Sequence, residues 1–206
     1  MATLRLFVLR HGETEYSRER RFAGARDVPL TALGLRQCEA AAARLAGTAV
    51  TAVYASPLER ARASAEAIAK PHRLPVQVDP AFREMAFGAW EGLTRSEFTA
   101  RFPEAARAWE DAPETVAPPG GETLAQVAER VEAGLAALLA GHPEQTLVLV
   151  THGVVTRLLV LAALGLGPDR LWSVECSPAG ITELTYEPGW ATVHRMNTLA
   201  HLEALA

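Results

Sequence analysis
Short apolar runs alternate along this chain with longer stretches whose apolar positions recur every three or four residues. Residues 4–9 make such a run, which stops at Arg10-His11-Gly12 and reads as a buried strand entering a loop. Polar, arginine-rich sequence follows as far as Pro29-Leu30-Thr31. Thr31 is placed to cap a helix running to about residue 46, with Gly47 as its stop. Residues 52–55 predict a second strand. Ser56-Pro57-Leu58-Glu59 then has the form of a capping box with proline at the first helical position, opening a helix that runs to about residue 69. Residues 76–78 predict a third strand. Thr94 and Glu97 frame a helix near 95–102, which Pro103 interrupts ahead of another over 104–111. Leu124, Val127, Ala128, Val131, Leu135 and Leu138 share one face of a helix over 123–139. Residues 147–150 predict a strand that stops at Thr151-His152-Gly153. A helix over 154–164 and two strands around 181–186 and 192–196 close the chain.

Alternation of strand and helix predicts an α/β protein, a three-layer α/β/α sandwich around a mostly parallel central sheet. The less regular segment 82–121 carries Pro113, Pro118, Pro119, Gly120 and Gly121. It predicts a helical and loop insertion capping the active site, inside a single domain of residues 1–206.

Composition limits the partners. The 206 residues are 49% apolar and 21% charged, with a net charge of −4, so no global positive field draws nucleic acid or an anionic membrane. An anionic ligand must instead be met by a local cluster of cations. The apolar run at residues 4–9 is too short for a signal peptide, and the longest one, near 158–166, is too short to span a bilayer. A cytoplasmic protein is expected. Cys38 and Cys176 lie far apart with no CxxC spacing, so reduced, buried thiols are expected. Neither clustered carboxylates suited to Mg²⁺ nor a His/Cys zinc pattern occurs, so no metal and no cofactor are expected.

Open α/β sheets place their sites beyond the carboxyl ends of the strands. Two apolar strands here end in His-Gly, at His11-Gly12 and His152-Gly153. A third ends near Ser56-Pro57, with Arg60 one turn into the next helix. If these strands are neighbours, His11, His152, Arg10 and Arg60 converge in a compact cationic pocket. Arginine forks bind phosphate oxygens two at a time, and a glycine lets backbone N–H groups approach. A neutral histidine can attack phosphorus, and nearby cations disfavour its protonated form while stabilising charge in the transition state. An acid must then protonate the leaving oxygen. Glu84, or Glu13 beside His11, could serve. Glu122, just ahead of the helix over 123–139, has the place of a cap or of a pocket-facing residue.

Together, in order and at family spacing, several segments resemble the histidine phosphatase superfamily, the phosphoglycerate mutase-like proteins. Leu9-Arg10-His11-Gly12-Glu13-Thr14 is similar to its signature. Phe22-Ala23-Gly24, residues 27–34, Tyr54 to Ala61, Arg83 to Gly92, Gly120 to Thr123 and Val150 to Gly153 extend the resemblance over most of the chain. The phosphatase branch, with its broad-specificity and alpha-ribazole phosphatases, is the nearer likeness. The resemblance implies that His11 is the phosphorylated nucleophile and Glu84 the acid/base. It implies that Arg10, Arg60 and His152 bind the phosphoryl group. The resemblance also implies that Thr14, Ser17, Ala23, Gly24 and Gly153, with Arg10, Arg60 and Glu84, line the substrate side. A homodimer is among the assemblies it implies.

Two departures bear on specificity. Tyr16-Ser17 stands where the family often has Trp-Asn. Glu84-Met85-Ala86-Phe87-Gly88 replaces the mutases' Glu-Arg-His-Tyr-Gly-like segment, and Arg95, Arg101 and Arg107 do not form the mutase set of cations. Water is therefore the expected phosphoryl acceptor. The leading expectation is hydrolysis of a small phosphomonoester such as alpha-ribazole phosphate, phosphoserine or a sugar phosphate. The alternatives are a cofactor-dependent phosphoglycerate mutase, a protein phosphatase acting on phosphohistidine, and a non-catalytic phosphate-binding module on the same fold. Trp90, Trp109 and Trp172 are expected to pack.

Overall fold
The computed structural model describes residues 3–205. One six-stranded sheet runs in the order β3-β2-β4-β1-β5-β6, from β1 (Leu4–Arg10), β2 (Ala52–Ala55), β3 (Val76–Val78), β4 (Thr146–Thr151), β5 (Ile181–Glu187) and β6 (Trp190–Thr198). The first four in that order pair in parallel, and β5 and β6 join antiparallel. The predicted strands are all found, and the sandwich is as expected.

The sheet is covered on both sides because its central strands are apolar on both sides. Leu6 and Val8 of β1, with Leu147 and Leu149 of β4, pack under one layer. That layer holds α4 (Arg95–Arg101), α5 (Pro103–Asp111), α6 (Leu124–Gly141) and α7 (Gly153–Ala163). Phe7, Leu9, Val148 and Val150 face the other side, against α2 (Ala32–Leu45) and α3 (Glu59–His72). Alternate residues of one strand thus serve two cores, as a buried parallel strand requires.

Helix ends follow their side chains. Thr31, Thr94 and Thr123 accept backbone N–H bonds at the starts of α2, α4 and α6, and the last two form capping boxes with Glu97 and Gln126. Pro103 opens α5 as its first residue rather than merely ending α4, since its missing N–H has no helical partner to lose there. The capping box at Ser56 is not formed. Leu58 is the N-cap of α3, without a side-chain bond. The Ser56 hydroxyl turns instead to buried His152, 2.7 Å away, and Asp27 from a distant loop accepts the Glu59 N–H at 2.7 Å. The short helix α1 (Glu15–Arg18) starts at Thr14.

Strand register sets the site. Arg10 pairs with Thr151, and Ala55 pairs with Val150. The ladder continues one step, with His11 N–H donating to Thr151 O and Ser56 N–H donating to Val150 O. His11, His152 and Ser56 therefore leave three adjacent parallel strands at one edge of the sheet.

Candidate active site
A cavity of about 410 Å³ opens at that edge. Arg10, His11, Thr14, Ser17, Ala23, Gly24, Arg60, Glu84 and Gly153 all line it. His152 does not form part of the wall. It is fully buried, with its ring centroid 5.2 Å from that of His11.

His11 is held in one protonation form. Its Nδ1 lies 2.7 Å from Gly12 O, so Nδ1 carries the proton and donates it. Arg60 Nε–H donates to His11 Nε2 at 3.2 Å, which requires an unprotonated Nε2. Burial, then the guanidinium groups of Arg60 and Arg10, hold the His11 pKa well below its ordinary value. Gly12 is needed where it stands: a Cβ there would sit 2.5 Å from Gly34 O and 2.8 Å from Cys38 Sγ. Its N–H donates to Ser64 Oγ.

Arg60 is fully buried with no carboxylate in contact. Its Nη1 and Nη2 donate to Arg26 O at 2.6 Å and Gly24 O at 2.8 Å. Backbone oxygens thus orient the guanidinium without cancelling its charge. Burial lowers its pKa, and the carboxylates of Glu84 and Asp27 oppose that shift. Arg10 donates to Cys176 O at 2.7 Å, while its buried Nε has no partner.

His152 completes the group. Ser56 Oγ accepts the Leu58 N–H and lies 2.7 Å from His152 Nε2. The other ring nitrogen, Nδ1, is buried and without a partner. Burial, then Arg60, His11 and Arg10, lower this pKa too. Buried donors without acceptors are rare in folded proteins. Arg10 Nε, on the cavity wall, is one such donor, and the fully buried His152 Nδ1 also lacks a partner among the described residues.

Glu84 enters from the loop after β3. Its Oε1 accepts the Met85 N–H at 3.0 Å, and its Oε2 lies 3.4 Å from Val154 N. Glu122 neither caps α6 nor faces the pocket. It pairs with Arg83 and Arg130 and accepts the Ala86 N–H, while Arg130 donates to the carbonyls of Ala81, Arg83 and Glu84. Glu122 and Arg130 therefore fasten the backbone on which Glu84 rides. Glu13 points elsewhere and accepts the Thr31 hydroxyl.

Other residues fall differently from expectation. Ser17 lines the cavity, but its hydroxyl donates to Thr14 O and closes the cap of α1, so it offers no free donor in place of asparagine. Trp90 and Trp109 are buried and pack, but Trp172 is 56% exposed and lines the cavity mouth. From segment 82–121, only Glu84 and Phe87 reach the cavity. Arg95, Arg101 and Arg107 do not, and Arg95 pairs with Glu110. The further cations on the wall are Arg20, Arg21 and Arg157. Sequence reasoning missed Ser56 as a site residue and Arg157 altogether. Arg157 follows Gly153 at i+4 on one helix face, which is the signal that would have found it.

The lowered histidine pKa values have a measurable consequence. Above about pH 6.5 the imidazoles are neutral whether the chain is folded or not. Below it the unfolded chain takes up protons that the folded site refuses, so stability falls with pH until the depressed folded values are reached. Each ring contributes a loss of up to about 1.4 kcal/mol per pH unit in that window. Urea unfolding should show a lower midpoint near pH 5 than near pH 7. The drop should be smaller in His11→Gln. An identical midpoint at both values would contradict burial of neutral imidazoles.

Among described residues, no helix is long and apolar enough to cross a membrane, and no group of three His, Cys, Asp or Glu side chains is placed to hold a metal ion. Both cysteines are free and buried.

Comparison with known proteins agrees with the geometry. The model of the histidine phosphatase superfamily (branch 1) matches residues 6–199. A bifunctional protein of Mycobacterium tuberculosis is 37% identical over 201 residues, which cover 96% of this chain but 55% of that protein, so the chain spans about half that relative's length. Phosphoserine phosphatase 1 of Hydrogenobacter thermophilus is 31% identical over 199 residues, 97% of this chain and 94% of its own. The crystal structure of the alpha-ribazole phosphatase from Shigella flexneri superposes with a TM-score of 0.86 at 28% identity, covering 94% of this chain and 96% of that one.

Proposed function
The chain belongs to the histidine phosphatase superfamily, branch 1, and on that premise we propose that it hydrolyses a small phosphomonoester through a phosphohistidine on His11. The observation that carries this reading is a buried guanidinium N–H without a partner, Arg10 Nε, on the wall of a cavity that also holds a histidine with its Nε2 unprotonated. Relatives named as phosphoserine and alpha-ribazole phosphatases support a hydrolase of phosphate esters.

In the proposed reaction, phosphate oxygens take up the free N–H of Arg10 and meet His152. The phosphorus displaces the Arg60–His11 contact, so that Arg60 turns its charge onto an equatorial oxygen. His11 Nε2 forms a bond to phosphorus as the ester P–O bond breaks, and Glu84 gives its proton to the departing oxygen. Water then attacks the phosphohistidine, Glu84 takes the water's proton, and the P–N bond breaks to return neutral His11. The arginines supply the charge neutralisation, with no metal in the scheme.

A phosphorus NMR time course with EDTA present tests this reading. The sample holds 3-phosphoglycerate, catalytic 2,3-bisphosphoglycerate and several unrelated phosphomonoesters. Growth of inorganic phosphate is expected. Appearance of 2-phosphoglycerate without inorganic phosphate would make the chain a mutase, and activity that returns only with Mg²⁺ or Zn²⁺ would overturn the metal-free scheme.

A further inference from the structure
Phosphate alone does not use all the charge this cavity offers. Arg157 projects from the second turn of α7. Side chains on a helix lean toward its N-terminus, so this one leans back over Gly153 and the phosphoryl pocket. A Cβ built on Gly153 would meet Arg157 Nη1 at 3.1 Å, Glu84 Oε2 at 3.8 Å and Arg10 Nε at 3.9 Å. The missing side chain lets the extra guanidinium close over Gly153, near the proposed acid and one of the proposed phosphate-binding arginines.

The guanidinium is aimed by the protein. Its Nε donates to Val174 O at 2.8 Å, and its Cζ lies 5.2 Å from the centre of the Trp172 ring. Among the described residues it forms no ion pair, although Glu84 stands nearby. Its two terminal nitrogens carry no hydrogen bond to the protein. Most other arginines near carboxylates here are paired, including Arg21 on the same wall with Glu19 and Glu97. A half-buried, fixed, unpaired fork beside a reacting centre is a binding feature, because exposed ion pairs are cheap to form and this one is forgone.

Resting on the phosphatase reading above, we propose that Arg157 binds a carboxylate of the substrate, so that the enzyme acts on phosphomonoesters bearing a carboxylate a few bonds from the ester oxygen. A carboxylate presents two oxygens in a plane, which matches the one free edge of this guanidinium. Trp172, half-exposed at the mouth, backs the guanidinium and shields this contact from water.

The test compares 3-phosphoglycerate with glycerol 3-phosphate, which replaces the carboxylate by a hydroxymethyl group. The wild-type protein is expected to prefer 3-phosphoglycerate in kcat/KM by at least about tenfold. Arg157→Met should lower kcat/KM for 3-phosphoglycerate by about 10- to 100-fold, while glycerol 3-phosphate changes by less than about threefold. Arg157→Lys should recover part of the preference. The ratio of the two substrates within one variant does not depend on how much of that protein is folded, so loosening of the Trp172 turn cannot imitate the result. Equal losses on both substrates would assign Arg157 a structural role and overturn the proposal, as would a wild-type protein without the preference. A wild-type protein that hydrolyses p-nitrophenyl phosphate but neither glycerate-like ester would overturn this proposal and leave the phosphatase reading standing. Failure on every monoester would overturn the phosphatase reading, and binding of the two esters by calorimetry would then decide this one: equal affinity would refute it.

Discussion
Replacing His11 with alanine is expected to reduce phosphomonoester hydrolysis by about 10⁴-fold or more while leaving the protein folded. The size of the loss comes from the chemistry. Without Nε2 the proposed nucleophile is gone, and water is left to attack the ester directly. The proposed phosphate contacts of Arg10, Arg60 and His152 would remain, stabilising charge without supplying a nucleophile. The stability loss should be modest. His11 donates to Gly12 O and accepts from Arg60 Nε, and each buried group left unpaired costs about 1–3 kcal/mol. Phosphate binding should persist in the alanine variant. Steady-state release of nitrophenol and a thermal melt check both halves. A variant retaining a tenth of the activity would remove His11 from the nucleophile's role.

The second large effect is expected at Glu84, and it should depend on the substrate. Glu84→Gln keeps the acceptor for Met85 N–H but cannot transfer a proton. General acid catalysis contributes about 10²–10⁴-fold where the leaving oxygen is strongly basic. An alkyl phosphate should therefore slow by that factor, and p-nitrophenyl phosphate, whose leaving group departs without help, by less than about tenfold. Parallel measurement of kcat for both esters decides the matter. Equal losses on the two would show that glutamine disturbs binding or geometry, and Glu84 would no longer be the acid.

Much of this site is readable from the chain because strand ends advertise themselves. The apolar runs before Arg10-His11 and Thr151-His152 mark buried parallel strands, and such strands deliver the residues at their carboxyl ends to one edge of the sheet. Register then brings His11 and His152 together, and α3 supplies Arg60. Less legible are residues whose role depends on partners distant in sequence. Ser56 has the local form of a helix cap, yet its hydroxyl serves His152, and Asp27 meets the start of α3 from 32 residues away. Glu122 precedes a helix like a cap, yet it braces Arg83 and Arg130. Those outcomes depend on tertiary packing, which outweighs local propensity at buried polar groups. Trp172 reads in the sequence as a packing residue because large aromatic residues usually are. Its place at the cavity mouth depends on the turn Pro168–Ser173 and on Arg157 beneath it.

The measurement closest to the central claim is rapid quenching of the reaction into alkali, where phosphohistidine survives, and then peptide mass spectrometry. With p-nitrophenyl phosphate, a phosphoryl group should appear on the peptide containing His11 within the first turnover, and it should be absent from His11→Ala. Efficient hydrolysis with no phosphoryl group on His11 at any quench time, or with the group on another residue, would contradict the covalent mechanism.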